Sequence, residues 1–177
     1  MAHDGQDPAF HTPVIISDLL GLTSAAVAPV EALLETATAR VKSMVCGDDG
    51  RVSGALVEAH QTATHGLAWL ATYCQSLKQM QHWAESLQAE GKFGETEQLL
   101  HQIAFGEYLW QIYGGIQMNQ GEIVRLQDLG LDQSDMRGLM EPAVMQLTQN
   151  AHTQNARTRL VELMQEHSAK ITVGASG

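Results

Sequence analysis

Residues 65–73 read His-Gly-Leu-Ala-Trp-Leu-Ala-Thr-Tyr, and residues 93–114 read Phe-Gly-Glu-Thr-Glu-Gln-Leu-Leu-His-Gln-Ile-Ala-Phe-Gly-Glu-Tyr-Leu-Trp-Gln-Ile-Tyr-Gly. The first stretch lies in a long helical pattern that Ser53 opens as N-cap and that ends at Glu90, with Gly91 as a left-handed C-cap. Two apolar stripes run along it in steps of three and four. One is Ala63, Leu67, Leu70, Cys74, Leu77 and Ala84; beside it run Gly66, Trp69, Tyr73, Met80, Trp83 and Leu87. Such a sector is wider than the seam of a surface helix, so the element is central to the core. The second stretch predicts a helix from Glu95 to Gly114, with Glu95 and Glu97 in its first turn facing the positive end of the helix dipole. It too has paired stripes: Leu99, Ile103, Gly106, Trp110 and Tyr113, and next to them Phe105, Leu109, Ile112 and Ile116. A connection as short as Lys92-Phe93-Gly94 makes the two helices antiparallel neighbours. Eight of the nine aromatic residues fall between Trp69 and Tyr113. The two rods are therefore expected to fold back on each other and bury their tryptophans. Gly66 and Gly106, on the stripes, would let helix axes approach closely.

Outward from this hairpin the pattern stays helical. Ser17-Asp18 offers an N-cap. Pro29 either kinks the following segment or opens a second helix, and apolar residues from Val30 to Val45 keep helical spacing until Cys46-Gly47-Asp48-Asp49-Gly50 stops it. Beyond Gly114, residues 114–121 are turn-rich, and Glu122 to Leu131 read as an ordered excursion over the bundle with no strand pair strong enough to build a sheet. Asp132 caps a helix broken at Pro142 and resumed to Thr148. Thr153 caps a last amphipathic helix carrying Ala156, Leu160, Leu163 and Met164 on one face. The expected architecture is all-α, a mostly antiparallel helical bundle with a long central helical hairpin. Its parts are a flexible lead-in at 1–13, the bundle at 14–170 (core hairpin 53–117) and a linker stub at 171–177.

Composition bounds the function. The chain has 177 residues, 20 acids against 10 Lys and Arg, and a formal charge of −10. That balance argues against nucleic acid, which requires clustered positive charge, and against a polybasic membrane anchor. No run approaches the uninterrupted apolar length of a spanning helix. The acidic, polar N-terminus is the wrong start for a signal or transit peptide, so none is expected, and Cys46 and Cys74 form no disulfide or zinc pattern. A cytoplasmic protein is expected. Charged residues are 17% of the chain, below the usual quarter, and 17 glutamines supply polarity instead. Such a surface suits a chain that leans on a partner.

The residues able to do chemistry give weak patterns. No Glu has His three residues on, as a carboxylate-bridged di-iron bundle would require. Glu97 and His101 share a helix face and read as a surface ion pair rather than two metal ligands, while His60 and His65 diverge. His65 and Glu107 each abut an apolar stripe and could form an acid–base pair; the ordinary reading is a core histidine bonded to a helix carbonyl, with Glu107 reaching the surface. Cys74 is an inert core thiol. The glycines of 114–121 lack the Gly-Lys-Ser/Thr of a phosphate loop, and the Trp69, Tyr73 and Trp83 stripe reads as core rather than as a bed for a flat cofactor. No catalytic, cofactor-binding or metal residue is assigned.

Several uncommon strings occur in one order: His65 to Tyr73, Phe93-Gly94-Glu95-Thr96-Glu97, Phe105-Gly106-Glu107-Tyr108-Leu109, Gly114 to Arg125, and Asp128-Leu129-Gly130-Leu131. Together they resemble the N-terminal helical extension of some bacterial acyl-CoA dehydrogenases, most like that of the (2S)-methylsuccinyl-CoA dehydrogenases. The resemblance covers about residues 52–131, with looser similarity on both flanks. Leu126-Gln127 departs from it where a proline would be expected. The family oxidises an acyl-CoA at Cα–Cβ with FAD and passes electrons to a flavoprotein. The flavin, the thioester and the Glu base belong to domains downstream of the extension. The chain stops at Gly177, about where that body would begin, so none of the family's catalytic or flavin residues has a counterpart here, and Glu107 is not its base. The resemblance implies an accessory, non-catalytic domain that docks on dehydrogenase catalytic domains or a sister subunit, with a homo-oligomer also possible. The alternative is a free-standing α-helical protein-interaction module.

Overall fold

The computed structural model describes residues 14–174, with side chains described as far as Ser168. The expected lead-in at 1–13 and residues 175–177 of the expected stub lie outside the described residues. Helix α1 spans Leu19–Val45, α2 Gly54–Ala59, α3 Gln61–Ala89 and α4 Glu95–Gly114. A small antiparallel pair follows, β1 Ile116–Asn119 and β2 Glu122–Val124. Two 3-10 helices, Leu126–Leu129 and Asp135–Met140, lead to α5 Pro142–Asn150 and α6 Gln154–Gly174. The fold is mostly helical. α1 packs chiefly along α3, α3 against α4, and α5 bridges α4 and α1, while α6 lies on α4.

Local chemistry accounts for most boundaries. The α3 terminus is a Schellman motif: Gly91 adopts φ 68°, its N–H reaches the Gln88 carbonyl at 3.1 Å, and the Lys92 N–H reaches the Leu87 carbonyl at 2.8 Å. Ser53 and Thr153 accept from backbone N–H groups three residues on. Pro142 stands in the first turn of α5, where no N–H is missed. Three expectations need correction, and one alternative, at Pro29, is decided. The run from Ser53 to Glu90 is two helices, because His60 (φ −116°, ψ 37°) turns the chain between α2 and α3. α1 runs through Pro29 without a second helix opening there; the carbonyl left without a partner is that of exposed Ala25, which water can reach. Asp18 sits at the α1 N-cap in a left-handed conformation (φ 54°) and makes no side-chain cap bond. Residues 116–124 do form a two-stranded sheet. Its turn is held by the Asn119 side chain, which accepts from the Gly121 N–H at 2.9 Å and donates to Glu122 at 2.8 Å.

By length and mean hydropathy (1.3), α1 could cross a bilayer, which a search for uninterrupted apolar runs misses because Thr, Ser and Gly interrupt it. Here its Ala26, Val30, Leu33, Ala37 and Val41 are core. They meet Leu70, Cys74 and Leu77 of α3, with Phe105, Leu109 and Ile112 of α4 completing the cluster.

The stripe glycines admit neighbours other than the partner rod. A Cβ on Gly66 would collide with Val124 of β2 and sit 3.1 Å from Leu129, so this position seats the strand pair and the first 3-10 helix. A Cβ on Gly106 would lie 2.8 Å from Ala151 and 3.2 Å from the His152 backbone nitrogen, at the end of α5. Backbone cannot step aside as a side chain can. Gly106→Ala should therefore destabilise the protein by about 1–3 kcal/mol, the overpacking cost exceeding the gain of up to about 1 kcal/mol in helix propensity. Urea unfolding checks this, and a stabilised variant would contradict it.

Candidate functional site

The structure does not assemble the pairings read from sequence. His101 is 1% exposed, so no surface ion pair with Glu97 forms. Its Nε2 lies 3.0 Å from the Thr23 hydroxyl of α1, and its ring packs on Phe105, Phe93 and Trp83. Burial holds its pKa down to about 4, with Glu85 pulling the other way. His65 is exposed and accepts from the Trp69 indole N–H at 3.1 Å, not from a core position. Glu107 forms an ion pair with Arg157 of α6. Glu107 thus reaches the surface as the ordinary reading had it, and the alternative of an acid–base pair with His65 is not formed. His60 is exposed at the α2–α3 junction. Cys74 is buried; burial raises its pKa, Glu31 adds to the rise and Lys78 opposes it. Among the described residues, no three His, Cys, Asp or Glu side chains stand where they could share a metal ion.

Glutamines that composition placed on the surface do structural work inside. Gln102 is fully buried: its Oε1 accepts from the Ile16 N–H at 2.8 Å, and its Nε2 donates to the Val14 and Ala151 carbonyls, each at 3.0 Å. One amide thereby ties the segment before α1, α4 and the end of α5. Gln81 donates to the Leu20 carbonyl at 3.3 Å and to Glu85 at 2.8 Å. Gln111 accepts from the Tyr73 hydroxyl at 2.7 Å, and the Tyr73 ring stands edge-on to Tyr108.

The tryptophans are not buried. Trp83 is 39% exposed and Trp110 50%; Trp69 is half-buried, edge-on to Tyr73. On each rod one stripe is mostly core, while its neighbour is split: Gly66, Tyr73, Leu99 and Gly106 are buried, and Trp83, Trp110 and Tyr113 face outward. On α4 this leaves Trp110 and Tyr113, one turn apart, on the surface. Trp110 has its ring near His152. Tyr113 is 48% exposed and lines a cavity of about 520 Å³ with Gln127, Gln133, Met136, Arg137 and Met140. Met140 is itself 55% exposed. Tyr113 and Met140 thus leave apolar surface exposed at one cavity, with the amide side chains of Gln127 and Gln133 beside them.

No family model matches the chain. Over 163 residues, 92% of its length, it is 50% identical to the (2S)-methylsuccinyl-CoA dehydrogenase of Cereibacter sphaeroides. The chain spans 29% of that relative's length. The resemblance read from residues 52–131 is thus shown, and it extends across most of the chain.

Proposed function

We propose that the chain serves as an accessory helical domain of an acyl-CoA dehydrogenase, corresponding to an N-terminal portion of such an enzyme, and that it acts by docking on the catalytic body or a sister subunit. The reading is supported by identity to a segment of one such enzyme. The observation that carries it further is the exposure of Trp110 and Tyr113 on α4, together with Met140, which is exposed at the cavity that Tyr113 lines. On this reading flavin and acyl-CoA thioester are held by other parts of the enzyme, the site is cytoplasmic, and the bundle contributes no reacting group. Glu107, committed to Arg157, then has a structural role.

The test is a chimera in which this chain replaces the segment it matches in the Cereibacter sphaeroides enzyme. Amide hydrogen exchange of the chimera is compared with that of the isolated chain. Docking is expected to slow exchange on part of the bundle surface. A chimera whose bundle amides all exchange as they do in the isolated chain overturns the proposal.

A further inference from the structure

The groove beside Tyr113 sets a guanidinium next to large apolar side chains. The chain carries −10, and the cations Arg40, Lys78, Lys92, Arg157 and Arg159 are each engaged by carboxylates within the bundle. Arg137, like Lys42, Arg51 and Arg125, is exposed and makes no ion pair among the described residues, and of these four it alone lines the cavity. It stands at the groove formed by Tyr113, Met136 and Met140. A guanidinium on the edge of an apolar cleft is suited to a carboxylate carried next to large apolar side chains.

Resting on the docking reading above, we infer that this groove receives a segment of the dehydrogenase catalytic body in which an Asp or Glu, paired with Arg137, flanks one or two large apolar residues seated against Tyr113 and Met140. The body is the occupant for two reasons. The relative that matches this chain is more than three times as long as the match, so most of its length could supply such a segment. A second copy would also offer carboxylates, but the groove meeting a different surface of a copy is a head-to-tail contact, and such contacts build open filaments unless the rotation closes. Gln127 and Gln133 at the rim supply hydrogen bonds to a backbone whichever way it runs.

The experiment uses the chimeric enzyme described above, with Arg137→Glu and, separately, Tyr113→Ser; both side chains are exposed, and circular dichroism confirms that each variant is folded. In the parent chimera, amides of residues 133–140 are expected to exchange at least about tenfold more slowly than in the isolated chain. Arg137→Glu should remove that difference while leaving the α1 and α3 core amides unchanged. If the parent chimera slows no surface amide, the docking reading itself falls and takes this inference with it. If it slows amides on another face, or if Arg137→Glu leaves residues 133–140 equally slow, docking stands and the groove assignment is overturned. Self-association of the isolated chain that Arg137→Glu abolishes in sedimentation would assign the groove to a second copy, and would also overturn it.

Discussion

Replacing Gln102 by methionine should cost the protein about 3–5 kcal/mol, an unusually large effect for a change that nearly conserves side-chain length. The size follows from what the amide holds. Three hydrogen bonds disappear together, and each donor or acceptor left behind without water loses about 1–3 kcal/mol. The Ala151 carbonyl is the worst placed, since Ala151 is fully buried. Val14 and Ile16 are half-buried, and water can recover part of their loss. Methionine adds some apolar burial but restores none of the three links, so the offset is partial. The loss should also be local before it is global. The Ile16 amide and the chain before α1 should exchange fastest in the variant, because Gln102 is what fastens that segment to α4. Urea unfolding with hydrogen exchange reads both effects. A loss below about 1 kcal/mol would mean that these bonds are exchanged for water at no cost, contrary to the burial of Gln102.

That residue also marks the limit of what the sequence discloses. The hairpin of α3 and α4 was legible because its evidence is local: steps of three and four, a glycine placed for a left-handed turn, and a connection of only a few residues. Which stripe faces inward was not legible. Side-by-side stripes such as Leu70–Leu77 and Trp69–Trp83 announce a broad apolar sector, and packing against α1, α4 and the first 3-10 helix decides which positions are core. Leucine and phenylalanine filled the narrow space beside α1, and the bulkier indoles were left at its margin. Gln102 and His101 lie one and two positions away from Ile103 on α4, with nothing in their own neighbourhood to mark them as interior. Their partners are Val14, Ile16, Thr23 and Ala151, between 49 and 88 residues distant. A polar residue becomes a good core residue only when distant groups complete its hydrogen bonds, and periodicity carries no trace of that. The strand pair escaped notice for a related reason: strands of four and three residues have too few positions to show a period, and they persist because Gly66 gives Val124 a place to sit. The exposed aromatic residues are the reverse case. Low charge and a surplus of apolar residues were visible in the sequence as a surface for a partner, but the tryptophans were expected inside, whereas Trp110 lies outside, as do Tyr113 and Met140.

Acidification from pH 7 to pH 4 should remove up to about 3 kcal/mol of stability through His101 alone, the product of a pKa displaced from 6.5 to about 4 and 1.36 kcal/mol per unit. The direction follows from the two states. In the unfolded chain the imidazole takes up a proton near pH 6.5; in the fold it stays neutral until about pH 4. Between these values the unfolded state binds more protons, so stability falls as pH falls, and the contribution is fully present only above about 6.5. The geometry explains why the ring stays neutral. The Thr23 hydroxyl donates to the Leu19 carbonyl at 3.0 Å, so its oxygen accepts from His101 Nε2–H. That assigns the proton to Nε2 and leaves Nδ1 buried with no partner. A second proton would have to sit on Nδ1 among Phe93, Phe105 and Trp83, without a hydrogen-bond acceptor, and the nearby Glu85 charge offsets only part of that cost. His101→Gln can keep a donor toward Thr23 and does not titrate. Carboxylates common to both proteins cancel in the comparison. The stability difference between wild type and His101→Gln should therefore be flat above pH 6.5 and shift against wild type by up to about 3 kcal/mol on reaching pH 4. The His101 ring resonances should stay in their neutral positions through pH 5. A difference constant with pH, or a ring that titrates near 6.5 in the folded protein, would show that water reaches Nδ1 and that α1 and α4 do not close over it.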